Sequence, residues 1–291
     1  MKNMLIKRID YKSPKKNLNF EIVDIQSLFA SRPHKTLEKD YRLNFWVIIY
    51  IIKGSGCHYI DFQPYQYKKG DIIFIEKNQV SCFEINNEVE GYVIHINEPF
   101  FYLIEGFNGD IFLEFVDKSF GSPILNFDTC IGTTNRILID LVYKEYNKID
   151  GNINIELLAT LFQGFILSLR SKLQNNEKTL LSTDYENFKL YRHLVEKNYD
   201  ITRNVEDYAL MMNLSKKTIN KATRNVAGLS AKQLIINRII LEIKRYLGQG
   251  ELMNYEIADI LGFSETANMT KFFKNYEGIS PKEFRENHNK N

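Results

Sequence analysis

The chain has 291 residues, 44% of them hydrophobic and 25% charged, and its formal net charge is +2. These values are typical of a globular protein with one or two domains, and they exclude a disordered chain, a collagen-like repeat and a coiled-coil rod. No stretch approaches 18 uncharged apolar residues, so the sequence predicts no membrane-spanning helix.

The N-terminus and the cysteines indicate a cytoplasmic protein. Charged residues appear too early, at Lys7 and Arg8, to leave room for the apolar core of a signal peptide. Cys57, Cys82 and Cys130 are scattered without a C-x-x-C pair, which suits a reducing compartment and predicts no structural zinc.

The first 130 residues have the pattern of short strands separated by turns. Residues 45–52 predict a buried strand that ends in a turn at 53–56, and residues 72–75 and 90–96 predict further strands. Because no helical pattern lies between them, we expect an antiparallel barrel or sandwich.

The hydrophobic period changes at Thr133, where apolar residues begin to recur at helical spacing. We therefore expect an N-terminal domain over residues 1–175, with a barrel over about 1–130 and accessory helices over about 133–175. Residues 176–186 are predicted to form a linker, and residues 187–291 an all-helical domain.

The C-terminal domain contains an internal repeat. Ala209, Leu214 and Ser215 recur 49 residues later as Ala258, Phe263 and Ser264. Beyond that point the offset becomes 50, so that Gly228 and Ser230 recur as Gly278 and Ser280. Each unit predicts a short helix with an inward alanine, a turn, a serine as N-cap and a second helix, which is the pattern of a helix-turn-helix.

The second helix of each unit carries a polar face. In the first unit this face consists of Lys217, Asn220, Lys221 and Arg224. In the second unit it consists of Thr266, Ala267, Asn268, Lys271 and Lys274. A basic face on one helix is usually only solvated, but two such units joined by one amphipathic helix over 231–247 favour binding to double-stranded DNA.

Residues from about Asn187 to Asn287 resemble the DNA-binding domain of the AraC/XylS family of bacterial transcription regulators. The second unit carries the resemblance in the segments 257–258, 261–264, 272–274, 278–281 and 284–285. The first unit fits less fully, because Ala222 and Thr223 stand where the family usually has a bulky apolar pair.

The resemblance implies two recognition helices in successive segments of the major groove. It assigns base contacts to Lys217, Asn220 and Lys221 in the first helix, and to Thr266, Ala267 or Asn268, and Lys271 in the second. It assigns phosphate contacts to Ser264, Arg224, Lys274 and Lys282.

The N-terminal part is similar to the cupin-like barrel that many members of this family use for sensing and dimerisation. The similarity lies in the segments 51–56, 69–75 and 78–80. At the positions where metal-binding cupins have their ligands, this chain has Tyr41, Leu43, Val47 and Ser81, so a metal site is not expected.

One face of the strand over 45–52 predicts the wall of an effector pocket, formed by Phe45, Val47, Ile49 and Ile51. Its apolar character predicts a small, mostly apolar effector; a filled interior without a ligand is the alternative. The opposite face, beginning at Trp46, is also apolar and needs a cover of helices or a partner chain. The family resemblance implies a dimer interface on the helix over 154–173, through Leu158, Leu161, Phe162, Phe165 and Leu169.

The sequence thus predicts an α+β two-domain protein: an N-terminal cupin-like β-barrel with accessory helices, and a C-terminal all-α domain with two helix-turn-helix units. The expected function is a sequence-specific DNA-binding transcription regulator without a cofactor, and the resemblance implies activation through RNA polymerase and a homodimer. Two alternatives are an enzyme that uses the barrel and a DNA-repair methyltransferase. The first lacks metal ligands, and the second lacks a cysteine in a basic neighbourhood.

Overall fold

A computed structural model describes residues 6–12, 14–15, 18–31, 38–103, 123–126, 131–149, 151–174 and 183–288. The chain divides into two compact units. The first, the sheet unit, is Arg8–Asn175; the second, the helical unit, is Asn176–Asn291 together with Met1–Lys7. None of the helices described is both long and apolar enough to cross a membrane.

Ten strands lie in the described residues. They are β1 (Lys7–Ile9), β2 (Phe20–Asp24), β3 (Tyr41–Leu43), β4 (Trp46–Lys53), β5 (Ser55–Ile60), β6 (Gln63–Lys68), β7 (Asp71–Ile75), β8 (Val80–Phe83), β9 (Glu90–Ile96) and β10 (Ile124–Asn126). Two five-stranded sheets result, with the orders β1-β3-β8-β5-β6 and β10-β7-β4-β9-β2. The central pairs β4–β7 and β4–β9 are antiparallel, as the lack of intervening helices predicts.

The helices of the sheet unit are α1 (Ile25–Ser31), a 3₁₀ helix (Glu98–Leu103), α2 (Ile131–Tyr146) and α3 (Ile155–Gln174). One buried cluster joins Ile48 and Tyr50, on the outer face of β4, to Phe162 and Phe165 of α3. The second apolar face of β4 is therefore covered by helices of the same unit. A separate apolar cluster with Val47 and Ile49 lies on the inner face.

Seven helices form the described part of the helical unit. They are α4 (Thr183–Asn198), α5 (Val205–Met212), α6 (Lys216–Ala227), α7 (Ala231–Gln249), α8 (Asn254–Ile260), α9 (Thr266–Glu277) and α10 (Pro281–His288). The pairs α5–α6 and α8–α9 are the two helix-turn-helix units that the repeat predicts, and α7 joins them. The helix α4 begins at Thr183, inside the range expected to be a linker.

The turns of the two units use equivalent residues. Asn213 and Gly262 both adopt the left-handed conformation, with φ of 53° and 66°. Asn213 directly follows α5, and Gly262 lies two residues after the end of α8. Gly228 and Gly278 adopt the same conformation at the end of the second helix, where the chain must turn sharply.

The N-cap of α9 differs from the prediction. Ser215 caps α6 by accepting a 3.1 Å hydrogen bond from the Thr218 amide, whereas α9 begins one residue later than expected and has Glu265 as its N-cap. Ser264 instead accepts a 2.9 Å hydrogen bond from the side chain of Asn268. The extra residue in the second copy lies before the cap, so α6 and α9 correspond at an offset of 50.

Two strands lack an obvious signal in the sequence. The edge strand β6 is polar and contains Pro64, which an edge position tolerates because one side of the strand makes no ladder hydrogen bonds. Asp61 and Phe62 form its turn with positive φ values, without the Asn-Gly or Asp-Gly pair that usually marks such a hairpin. The strand β8 has only four residues.

Candidate functional site

The helix α6 has one apolar face inside the helical unit and one basic face in solvent. Ile219, Ala222 and Thr223 are fully buried. Lys217, Lys221 and Arg224 are exposed, as the sequence predicts. Ala222 and Thr223 are therefore part of the core. They are buried even though they are smaller than the apolar pair expected at these positions from the resemblance noted above.

Asn220 differs from its neighbours on this helix. Its side-chain oxygen accepts a 3.1 Å hydrogen bond from the Ala231 amide at the start of α7. Its side-chain nitrogen donates a 3.0 Å hydrogen bond to the Lys216 carbonyl. Both ends of the amide are thus engaged within the protein, which fixes the junction between α6 and α7.

Lys221 has an acidic neighbour on α4. Its Nζ lies 3.4 Å from Oδ2 of Asp184, and the Lys221 side chain is 67% exposed. The same carboxylate oxygen accepts a 2.7 Å hydrogen bond from Asn225. Because an exposed ion pair of this length is weak, Lys221 stays available to another anion.

The helix α9 exposes a less charged face. Met269 and Phe273 are fully buried. The ring of Phe272 on α9 contacts the ring of Phe263, which precedes the helix. Ala267, Asn268, Lys271 and Lys274 are exposed, whereas Thr266 is half-buried. At the offset of 50, Lys271 corresponds to Lys221 and Lys274 to Arg224, so both helices present cations at the same two positions.

The two phosphate candidates outside these helical faces also lie on the surface. Ser264 is exposed in the turn before α9. Lys282 is exposed on α10, and its Nζ lies 3.9 Å from the carboxylate of Glu286. Ser280 and Glu283 form reciprocal hydrogen bonds that cap α10, and the hydrogen bonds from Ser280 lower the pKa of the Glu283 carboxyl.

A buried charge network lies on α7, and sequence reasoning missed it. Glu242 is 1% exposed and accepts from Arg238 at 2.8 Å and from Arg245 at 3.1 Å. Arg238 also binds Glu196 of α4 at 2.7 Å. Burial alone would lower the pKa of the Arg238 guanidinium, but the carboxylates of Glu196 and Glu242 raise it overall. The network links α4 to α7 through Arg238, and the apolar stripe of α7 gives no signal for it.

The sheet unit contains a cavity of about 510 Å³ that is lined by residues of both sheets and is partly open to solvent. One transverse row of side chains forms a wall: Ile75, Val47, His95 and Glu21 are successive partners across β7, β4, β9 and β2. The His95 Nδ1 atom lies 2.8 Å from Oε2 of Glu21. Half of this wall is therefore apolar and half is a hydrogen-bonded polar pair.

The opposite sheet contributes Tyr41 and Ser81, which are partners between β3 and β8. Together with Leu43 and Val47, these residues occupy the positions at which metal-binding cupins have their ligands, and all four line the cavity. Within the residues described, no three His, Cys, Asp or Glu side chains are grouped so that they could hold a metal ion.

The predicted pocket residues divide between the cavity and the core. Phe45 and Val47 line the cavity. Ile49 and Ile51 lie further along the same face of β4 and are not part of this lining, although all four residues belong to one apolar cluster. The alternation of side chains along β4 identified its inward face. It does not show how far along the strand the cavity extends.

The predicted dimer residues of α3 need a correction. Leu158, Phe162, Phe165 and Leu169 are fully buried in the cluster that joins α3 to the outer face of β4, and Leu161 is partly buried. These side chains form the core of their own unit and do not present a surface to a second chain. Ile137 and Leu141 of α2 are instead 56% and 41% exposed.

The described cysteines are unsuited to nucleophilic chemistry. Burial raises the pKa of the Cys57 thiol, and it raises the pKa of Cys82 to about 12 with a further contribution from Asp40. A thiol with a raised pKa contains little thiolate at neutral pH. Cys130 lies outside the described residues.

Comparison with known proteins assigns each unit to a family. Residues 34–130 match the profile of the AraC-like ligand binding domain, and residues 208–287 match that of a helix-turn-helix domain. The Msm operon regulatory protein of Streptococcus mutans is 24% identical over 82% of this chain and 84% of its own length. The raffinose operon regulator RafR of Pediococcus pentosaceus is 23% identical over 88% and 90%. The transcriptional activator RhaS of Mannheimia succiniciproducens is 23% identical over 89% and 93%.

Among solved structures, ToxT from Vibrio cholerae is 15% identical, with a TM-score of 0.46 over 91% of this chain and 97% of its own. The profiles of both units and the regulators that match most of the chain agree with the repeat and the two-sheet unit described above. The chain is a transcription regulator of the AraC family.

Proposed function

We propose that α6 and α9 enter successive major-groove segments on one face of a DNA duplex. Support comes from one observation above all: two helices with matching C-terminal ends expose cations at equivalent positions, Lys221 with Lys271 and Arg224 with Lys274. Recognition helices of this kind contact base edges with side chains near their N-terminal ends, while flanking cations bind phosphate.

Base contacts are proposed for Lys217 and Lys221 in the first helix. In the second they are proposed for Thr266, Ala267 or Asn268, and Lys271. Lysine donates to the acceptors of guanine, and asparagine pairs with adenine. Asn220 would have to leave two backbone partners to reach a base, so we assign it the role of holding α6 against α7.

Phosphate contacts are proposed for Ser264, Arg224, Lys274 and Lys282. All three cations are exposed, Arg224 on α6, Lys274 on α9 and Lys282 on α10. Contacts of this kind contribute affinity that falls with salt and do not distinguish sequences.

The cavity of the sheet unit is proposed as the site of a small effector that regulates DNA binding. Its volume lies within the range of ordinary small-molecule sites, and a family profile for ligand binding covers this region. Part of its lining, including Phe45 and Val47, is apolar, which supports a mostly apolar effector.

Activation of transcription through RNA polymerase is proposed by analogy with RhaS, a relative named as an activator. We further propose that the protein acts in the cytoplasm as a homodimer, without enzymatic activity. The exposed Ile137 and Leu141 of α2 are suited to contact a second copy. Exchange of both for lysine would then convert a dimer to a monomer in analytical ultracentrifugation.

The test of DNA recognition is binding to a duplex from upstream of the protein's own gene, compared with a scrambled duplex over a salt series. We expect a preference of about 10³ or more for the specific duplex. Lys221→Ala and Lys271→Ala should each weaken it by about 1–3 kcal/mol, at base positions roughly one helical turn apart.

The matched control is Lys53→Ala in the sheet unit, where the lysine binds Glu90 at 2.6 Å. This variant should bind both duplexes as the wild type does. The proposal fails if the wild type prefers neither duplex, with or without small apolar compounds added, or if the control loses as much preference as the two test variants.

A further inference from the structure

The hydroxyl group of Ser81 in the cavity wall is held in place by the buried side chain of His58. Ser81 of β8 lines the cavity and is 6% exposed. Behind it lies His58 of β5, which is fully buried, with its Nε2 atom 2.9 Å from Oγ of Ser81. The ring of Phe83, another lining residue, meets the His58 ring edge-on at 4.6 Å.

The surroundings of His58 indicate which of its nitrogens carries the proton. Nδ1 is buried without a hydrogen-bond partner among the described residues. Burial also lowers the pKa of His58 to about 3, so the ring is neutral at physiological pH. A buried N–H without an acceptor is rarer in proteins than a buried acceptor without a donor, which favours the proton on Nε2.

The orientation of the serine hydroxyl follows from this assignment. When Nε2–H of His58 donates to Oγ of Ser81, the serine oxygen is the acceptor of this hydrogen bond. The hydroxyl hydrogen of Ser81 then has to point away from His58. Because Ser81 lines the cavity, that hydrogen is available to an acceptor atom of a bound molecule.

The charges of the lining indicate a neutral occupant. Glu21 and His95 bind each other, with side chains only 19% and 13% exposed. Arg8 and Asp10 also pair, at 3.1 Å, but their side chains are 60% and 64% exposed, and Lys12 is exposed as well. The attraction of these exposed residues for an ion is weakened by water. An ion beside Ser81 would lose its hydration, and the least exposed charged residues of the lining, Glu21 and His95, are already engaged with each other.

We propose that the cavity binds a small uncharged molecule with an apolar body and a hydroxyl or carbonyl oxygen, which accepts a hydrogen bond from Ser81. His58 is the positioning residue that directs the serine hydroxyl, and Phe45, Val47 and Ile75 contact the apolar body. The inference rests on the proposed effector cavity and specifies the chemical class of its ligand.

Four probes of one shape test this proposal: benzyl alcohol, toluene, benzoate and benzylammonium. Titration of each into the full-length protein, followed by NMR, gives four dissociation constants. Benzyl alcohol should bind more tightly than benzoate and benzylammonium. Its affinity relative to toluene should fall about 3- to 10-fold in Ser81→Ala, the value of one neutral hydrogen bond.

Two further variants separate recognition from packing. Ser81→Thr retains a hydroxyl and should restore the ratio of benzyl alcohol to toluene, whereas His58→Phe should lower this ratio without changing toluene binding. The control Ser168→Ala removes a hydroxyl from α3, where it binds Asn135, and should leave the ratio unchanged.

Three results would overturn the proposal: a charged probe that binds more tightly than benzyl alcohol, an unchanged ratio in Ser81→Ala, or no saturable binding of any probe. DNA binding is measured separately on the same variants without a probe. Because Ser81 is remote from the DNA-reading helices in sequence and belongs to the other unit, Ser81→Ala should bind DNA like the wild type. Failure of the cavity proposal and failure of DNA recognition are thus distinguishable.

Discussion

At the scale of single residues, Gly262 is required by both its conformation and its surroundings. Its φ is +66°, and a Cβ atom added there would lie 2.1 Å from the carbonyl oxygen of Asp200. Gly278 has a similar φ of +77°, but an added Cβ would meet nothing within 4 Å. An alanine at Gly278 would therefore test backbone strain alone, whereas an alanine at Gly262 would add a steric clash.

We expect Gly278→Ala to lower the free energy of unfolding by about 1–2 kcal/mol, the cost of the left-handed conformation for an L-residue. Gly262→Ala should cost about 1–3 kcal/mol more, because the backbone of Asp200 has to move. Urea unfolding of both variants measures the difference. Equal losses would show that the chain around Asp200 yields without cost.

His58 makes the stability of the sheet unit depend on pH. Its pKa is about 3 in the folded protein because of burial, against 6.5 for an unperturbed histidine. Between these values the unfolded chain binds the proton and the folded chain does not, so stability is lost as pH falls below 6.5. Above pH 6.5 the histidine is neutral in both states and contributes no pH dependence.

The expected loss at pH 5 is about 2 kcal/mol relative to pH 7, since each pH unit contributes about 1.4 kcal/mol. Exchange of His58 for phenylalanine should remove this part of the pH dependence, which is measured as the difference between variant and wild type in unfolding experiments over pH 5–7. His193 on α4 is exposed and provides the control. If His193→Gln changes the pH dependence as much as His58→Phe, the assignment to His58 is wrong.

At the scale of elements, the junction of α6 and α7 depends on Asn220. Its side chain accepts from the first amide of α7 and donates to a carbonyl of α6. Asn220→Ala removes a helix-capping interaction, and we expect a loss of about 0.5–2 kcal/mol in the free energy of unfolding. DNA affinity should fall to a similar extent for every sequence, because the whole reading helix is displaced.

Lys221→Ala is the matched comparison for this prediction, since Lys221 lies one residue away and is exposed. It should leave stability nearly unchanged and relax the preference at one position of the DNA site. Competition binding with a set of duplexes that carry single-base changes distinguishes the two patterns. A position-specific effect of Asn220→Ala would instead make it a base-reading residue.

At the scale of the whole molecule, the repeat and the change of hydrophobic period were sufficient to predict two units and their helix-turn-helix pairs. Helical spacing is a local property, so α6, α7 and α9 follow from their own residues. Contacts between distant segments do not: the Glu242 network and the burial of Phe162 against β4 depend on neighbours that no short window contains. For the same reason, the sequence predicted which face of β4 points inward, but not that only Phe45 and Val47 of that face line the cavity.

The salt dependence of DNA binding depends on where the cations of the chain lie. From Asp184 onward the chain has 17 Lys and Arg against 14 Asp and Glu, whereas the preceding residues have 21 against 22. The excess is small, so DNA affinity must come from the placement of cations such as Arg224 and Lys274 on the proposed DNA face. Each phosphate contact contributes about −0.9 to the slope of log K against log salt concentration.

Arg224→Gln and Lys274→Gln should each make this slope less steep by about 0.9, and the double variant by about twice as much. The loss of affinity should be the same for specific and scrambled duplexes, since phosphates are common to both. Lys53→Gln, which removes a paired cation of the sheet unit, should leave the slope unchanged. If Arg224→Gln keeps the wild-type slope and loses preference at one base pair, Arg224 reads a base and the phosphate must be bound by another cation of the same face.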